Sequence, residues 1–167
     1  MMPTESDMLA PETCLPPEDR PISVQTRGFR RRLVKPWTFA WRPAEGERHR
    51  LSLPAGVEYN PSSPGLFRPI VPVSRLQVAS LPHDALYVLQ GESKGILERW
   101  GQVRWEPVDE VSRHYADRLF YQLLRACGVK AWRAWLSYQS IRLVGWAAWQ
   151  EGDPKRKATL RSLIDAH

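Results

Sequence analysis

Residues 96–128 read ILERWGQVRWEPVDEVSRHYADRLFYQLLRACG, and the hydrophobic period changes inside that stretch. Its first half, Ile96 to Trp100 and Val103 to Val108, is rich in β-branched and aromatic residues on either side of Gly101-Gln102. That pattern predicts a β-hairpin with a two-residue type II′ turn, glycine first. In its second half, Ala116, Leu119, Phe120, Leu123, Leu124 and Cys127 fall on one stripe of a helix. Asp109 or Ser112 is placed to cap its start, and Gly128 to end it. A hairpin followed directly by an amphipathic helix predicts an α+β fold, a small antiparallel sheet packed on about three helices.

Upstream, residues 29–42 and 47–54 read as strands, with Pro43-Ala44-Glu45-Gly46 as the turn between them. Residues 54–72 are punctuated by prolines and glycines and predict irregular chain. A helix is expected over 73–90, where Leu76, Ala79, Leu86 and Leu89 keep helical spacing. Pro82 inside it either kinks that helix or begins a second one. Downstream, Trp132, Trp135, Leu136, Leu143 and Trp146 predict a third helix over about 130–150. Gly152-Asp153-Pro154 breaks the chain before a short basic helix. Three parts are therefore expected: an extended, proline-rich acidic arm (1–26), one α+β domain (27–152) and a basic C-terminal helix (153–167).

Composition narrows the classes. The chain has 167 residues, 43% of them hydrophobic, which suffices for a single packed core. Its net charge of +6 favours acidic partners. That charge is uneven, with an acidic first twenty residues and a basic stretch from Arg27 to Arg50. The acidic arm and the basic stretch could pair within one chain or between copies. Two cysteines, Cys14 and Cys127, do not make a disulfide framework or a Cys-x-x-Cys zinc site. Neither a signal peptide nor an apolar run of bilayer length is visible, so a reducing cytoplasm is expected. Eight tryptophans read as core residues or, for a pair such as Trp37 and Trp41, as part of a contact surface with Arg30, Arg31 and Arg32.

One polar constellation could carry chemistry. His83 and Tyr87 are four residues apart on one helix face, with Asp84 about 100° round from His83. Arg113 and Asp117 share a face of the later helix. If the helices pack antiparallel the two stripes meet, and a carboxylate on the imidazole would fix its tautomer and raise its basicity. The same groups could instead only satisfy one another inside a core. As metal ligands His83, Asp84 and Asp117 are the candidates, so a divalent cation stays open as a cofactor.

Three ordered segments carry a resemblance: Leu53 to Asn60, Ala79 to Tyr87 (ASLPHDALY), and Ser112 to Phe120 (SRHYADRLF). With Gly128-Val129 and then Tyr138, Arg142, Gly145 and Trp146, they resemble the domain of unknown function family 1353, small proteins mostly of bacteriophages and prophages. The resemblance implies a phage-encoded protein, with the His-Asp pair and the later Asp as signature positions. Asn60 stands where the family usually has Asp; if that position binds metal, an amide weakens it. A fainter similarity is to phospholipase A2, whose active helix also reads His-Asp-x-x-Tyr and faces an Asp. Its glycine-rich calcium loop and disulfides are missing here.

Two functions follow as expectations. The first is a virion or assembly protein, such as a minor tail, connector or baseplate-associated component. It would contact other virion proteins or copies of itself, first in the host cytoplasm and then in the particle. The second is a small His/Asp-based hydrolase, with or without a metal ion, used in lysis, host penetration or host takeover. Nucleic-acid binding through Arg30-Arg31-Arg32 and Lys155-Arg156-Lys157 is a third, less favoured reading.

Overall fold

A computed structural model describes residues 9–10, 20–43, 47–61 and 71–167. Most of the acidic arm, the tip of the turn after Pro43, and residues 62–70 of the irregular segment lie outside the described residues. The fold is α+β, with two small antiparallel sheets and four helices.

The larger sheet has the order β1 (Leu9–Ala10), β4 (Trp37–Pro43), β5 (His49–Leu53), β7 (Leu97–Trp100), β8 (Trp105–Pro107). Alternation decides which face of β4 is buried. Trp37, Phe39 and Trp41 point inward at 5% exposure or less, while Thr38 between them is exposed. Their rings pack in a row along the strand, Trp37 tilted against Phe39 at 4.6 Å between centroids and Phe39 stacked on Trp41 at 4.8 Å. In register with them on β5, Leu53 opposes Trp37 and Leu51 opposes Phe39. Trp37 and Trp41 therefore do not form a contact surface: the period of two turns both rings into the core.

The smaller sheet, β2 (Ser23–Gln25), β3 (Arg31–Leu33), β6 (Glu58–Tyr59), is set by short antiparallel pairs. The Tyr59 hydroxyl and Ser23 Oγ lie 2.8 Å apart, and Arg31 Nε donates to the same Ser23 oxygen. Arg31 is thus held within its sheet, and Arg32 pairs with Glu58 across the neighbouring strand at 2.7 Å. Neither is a free cation awaiting a partner.

Helix α1 (Val73–Val88) is the centre of the molecule. It is buried on nearly all sides, which its weak amphipathic period reflects. It runs unbroken through Pro82, so no second helix begins at the His-Asp pair. Helix α2 (Arg113–Ala126) is capped by Ser112, whose Oγ accepts the Tyr115 N–H at 3.1 Å, and ends at Gly128 with φ of +77°. Asp153 caps the last helix, α4 (Pro154–Asp165), by accepting the N–H groups of Lys155 and Arg156.

Three expectations fail for physical reasons. The single strand expected over 29–42 is broken at Val34-Lys35-Pro36 into β3 and β4, which belong to different sheets, because proline cannot continue a strand ladder. The β7–β8 turn is a four-residue loop, with Trp100 opposite Trp105 and Gly101 N–H bonded to Arg104 O. Gly101 lacks the positive φ that a type II′ turn requires. On α3 (Ala131–Glu151), which forms where expected, the buried face is Ala134, Ser137, Ile141 and Gly145, small residues apart from Ile141. Trp132, Leu143 and Trp146 are exposed instead, because small residues let α3 approach its neighbours closely while large ones would hold it off. Among the described residues no helix is long and apolar enough to cross a membrane.

Candidate functional site

The polar stripes of α1 and α2 do meet. Asp117, fully buried, is the hub. Its Oδ1 lies 3.1 Å from His83 Nε2 and accepts the Tyr87 hydroxyl at 2.6 Å. Its Oδ2 accepts Arg142 Nη1 at 3.0 Å, with Arg113 Nη1 at 4.0 Å. A carboxylate with three such partners is compensated inside the core despite losing water. Burial pushes the Asp117 carboxyl upward, but the hydrogen bonds of His83 and Tyr87 outweigh it, with help from Arg142. Its pKa ends below the usual 3.8.

Because ionised Asp117 only accepts, Nε2 of His83 must carry a proton, and this selects the tautomer. The other ring nitrogen, Nδ1, lies 3.6 Å from Asp84 Oδ1, beyond a direct hydrogen bond. The imidazole is clamped between Tyr87 and Phe120, at centroid distances of 4.2 and 5.3 Å. Burial opposes its charge; the hydrogen bond to Asp117 and the proximity of Asp84 win, and its pKa lies above 6.5. Asp84 in turn accepts the backbone N–H of Asn60 at 2.7 Å. Residue 60 therefore supports the cluster through its main chain, which the exchange of Asp for Asn leaves intact.

The cluster opens on a cleft of about 290 Å³. His83, Asp84, Tyr87 and Ser80 line it from α1; Phe120 lines it from α2, and Ile141, Val144, Gly145 and Ala148 from α3. Asn60 and Arg30 also reach it. Of the expected site residues, His83, Asp84, Asp117, Asn60, Tyr87 and Arg113 are thus gathered in one place. Arg30 belongs to the cleft wall, while Arg31 and Arg32 are occupied within the small sheet.

Three contributors lie outside the expected site: Arg142, Gly145 and Ser80. Arg142 and Gly145 stand in the last of the matching segments, so the signal existed, but nothing in their spacing ties them to Asp117. Arg113 does less than its i,i+4 position suggests: Nη1 donates to the Arg142 carbonyl at 3.2 Å.

A family model described as protein of unknown function (DUF1353) matches residues 33–141, more than half of the chain. The chain belongs to this family. The match takes in His83, Asp84, Asp117 and Tyr87, so every side chain around the imidazole except Arg142 lies within the DUF1353 region. No curated protein and no solved structure matches the chain. In this DUF1353 protein, among the described residues, no group of three or more His, Cys, Asp or Glu side chains is placed to hold a metal ion. Asp117 and Asp84 sit at opposite nitrogens of the ring, and both oxygens of Asp117 are already engaged. His49 is engaged elsewhere, with Nδ1 2.8 Å from the Tyr115 hydroxyl.

Proposed function

We propose that the chain is a small His/Asp-based hydrolase, encoded by a phage or prophage, in which His83 is the general base. One observation carries the reading: the Asp117–His83 pair is buried and oriented, and its ring lines a cleft. In the neutral state Nε2–H donates to Asp117 and Nδ1 holds the lone pair. A water in the cleft would lose its proton to Nδ1 as it attacks an electrophile. Asp117 holds the ring and stabilises the imidazolium that forms, and Asp84 adds a second negative charge 3.6 Å from Nδ1. Tyr87 and Arg142 keep Asp117 ionised and in place. The roles are carried by side chains, so the proposal does not call on the divalent metal that the sequence left open. The test is hydrolysis of a panel of chromogenic esters, amides and phosphodiesters. His83→Ala should lower the rate at least about 100-fold; an unchanged rate would overturn the assignment.

A second reading is favoured by a separate observation, the exposed apolar surface of α3. Leu143, Val144 and Trp146 are 81%, 59% and 60% exposed. Exposed large apolar side chains on one helix suit protein contacts, as in a virion or assembly component. Mass spectrometry of purified particles tests it; absence of the protein from them would remove this reading.

A further inference from the structure

Two serines of α3 bond back along their own helix. Ser137 Oγ donates to the Arg133 carbonyl at 3.0 Å, and Ser140 Oγ donates to the Leu136 carbonyl at 2.9 Å. A hydroxyl inside a helix ordinarily finds such a partner one turn back. Ser80 of α1 does not. It is 2% exposed, and among the described residues its Oγ has no hydrogen-bond partner. A buried hydroxyl left unsatisfied is a cost that a core would normally remove. Ser80 also lines the cleft, three residues before His83 and so on the same side of α1.

We propose that Ser80 donates a hydrogen bond to the substrate, which is a neutral acyl compound whose carbonyl oxygen takes the unpaired hydroxyl. This rests on the hydrolase reading and deepens it. The lining decides the class. Arg30 and Arg156 are opposed there by Asp84, Glu151 and Asp153, so the cleft offers no net positive field to a phosphate group. Phe120, Val88, Ile141 and Val144 supply an apolar wall, and a cleft of about 290 Å³ suits a short acyl group.

The chemistry balances without a co-reactant other than water. Water oxygen bonds to the carbonyl carbon while its proton passes to His83 Nδ1. The carbonyl π electrons move to the oxygen facing Ser80, whose O–H stabilises the developing oxyanion. Collapse of the tetrahedral intermediate breaks the bond to the alkoxide or amine, which leaves with the proton from Nδ1. The products are a carboxylic acid and an alcohol or amine.

The probes are p-nitrophenyl acetate, p-nitrophenyl butyrate and butyryl p-nitroanilide, with bis-p-nitrophenyl phosphate for comparison. The intact chain should cleave at least one acyl probe and leave the phosphodiester untouched. Ser80→Ala should lower kcat about 10- to 100-fold with KM little changed, the mark of an interaction made mainly in the transition state. Its acidic pH limb, set by His83, should stay where it is, and its Tm should not fall. Ser80→Cys, with a weaker donor, should lie between. Acyl cleavage that Ser80→Ala leaves within twofold overturns the role of Ser80 while leaving His83 as base. Cleavage of the phosphodiester alone, lost in His83→Ala, overturns the acyl class but keeps the hydrolase. Inertness towards every probe overturns both.

Discussion

Gly145 leaves the space that Tyr87 fills. A Cβ built on Gly145 would lie 2.6 Å from the Tyr87 hydroxyl, closer than real Cβ atoms approach, and a tight 3.1 Å from its ring. The same hydroxyl makes the 2.6 Å bond to Asp117. Gly145→Ala should therefore push Tyr87 off Asp117 and destabilise the protein by about 1–3 kcal/mol, although alanine is the better helix former. Tyr87→Phe in the same chain should recover part of the loss, since the oxygen is the atom most crowded. Denaturant unfolding of the two single variants and the double variant measures the coupling; strict additivity would contradict it.

Asp117 should be the most sensitive polar position in the molecule. Asp117→Ala leaves Arg142, the Tyr87 hydroxyl and the imidazole without their shared acceptor. Breaking a buried charge pair from one side costs about 3–5 kcal/mol. Asp117→Asn keeps the shape but returns an N–H2 towards two donors, so it should be nearly as harmful. Urea midpoints at constant m-value check this, and a loss under about 1 kcal/mol would contradict the hub.

Stability should peak on the mildly acidic side. The His83 pKa is raised above 6.5 in the fold, so its contribution is fully present below about 6.5 and is lost as pH rises through the raised value. Asp117 is lowered from 3.8, so its contribution is present above about 3.8 and is lost as pH falls through the depressed value. Thermal melts should give the highest Tm between these limits. His83→Gln should flatten the alkaline side of that curve.

Catalysis should run the opposite way. A general base must be neutral, so the rate should rise with pH through an apparent pKa above 6.5. Asp84→Asn, which removes the carboxylate beside Nδ1, should move that limb to lower pH. A limb that does not move would exclude Asp84 from tuning the ring.

The outer face of α3 should tolerate polar residues. Leu143→Ser and Trp146→Ser replace side chains that are 81% and 60% exposed, so unfolding free energies should change by no more than about 0.5 kcal/mol. Any larger effect on particle incorporation, read by mass spectrometry of particles made with each variant, would then come from a lost contact with another chain.

Local periodicity settled much of this protein. The stripe in residues 116–127, the Ser112 cap and Gly128 define α2 from neighbouring residues alone, because helix faces and caps are short-range properties. Likewise His83 with Tyr87, and Arg113 with Asp117, lie on shared faces by spacing. What spacing could not decide was which faces turn inward and which distant groups meet. On α3, Trp132, Leu143 and Trp146 are exposed while Ala134, Ser137 and Gly145 are buried, since close helix approach rewards small side chains. Arg142 reaches Asp117 across 25 residues of chain, and Ser80 loses the usual carbonyl partner of a helical serine. Those are consequences of how α1, α2 and α3 are brought together, and only the tertiary structure determines them.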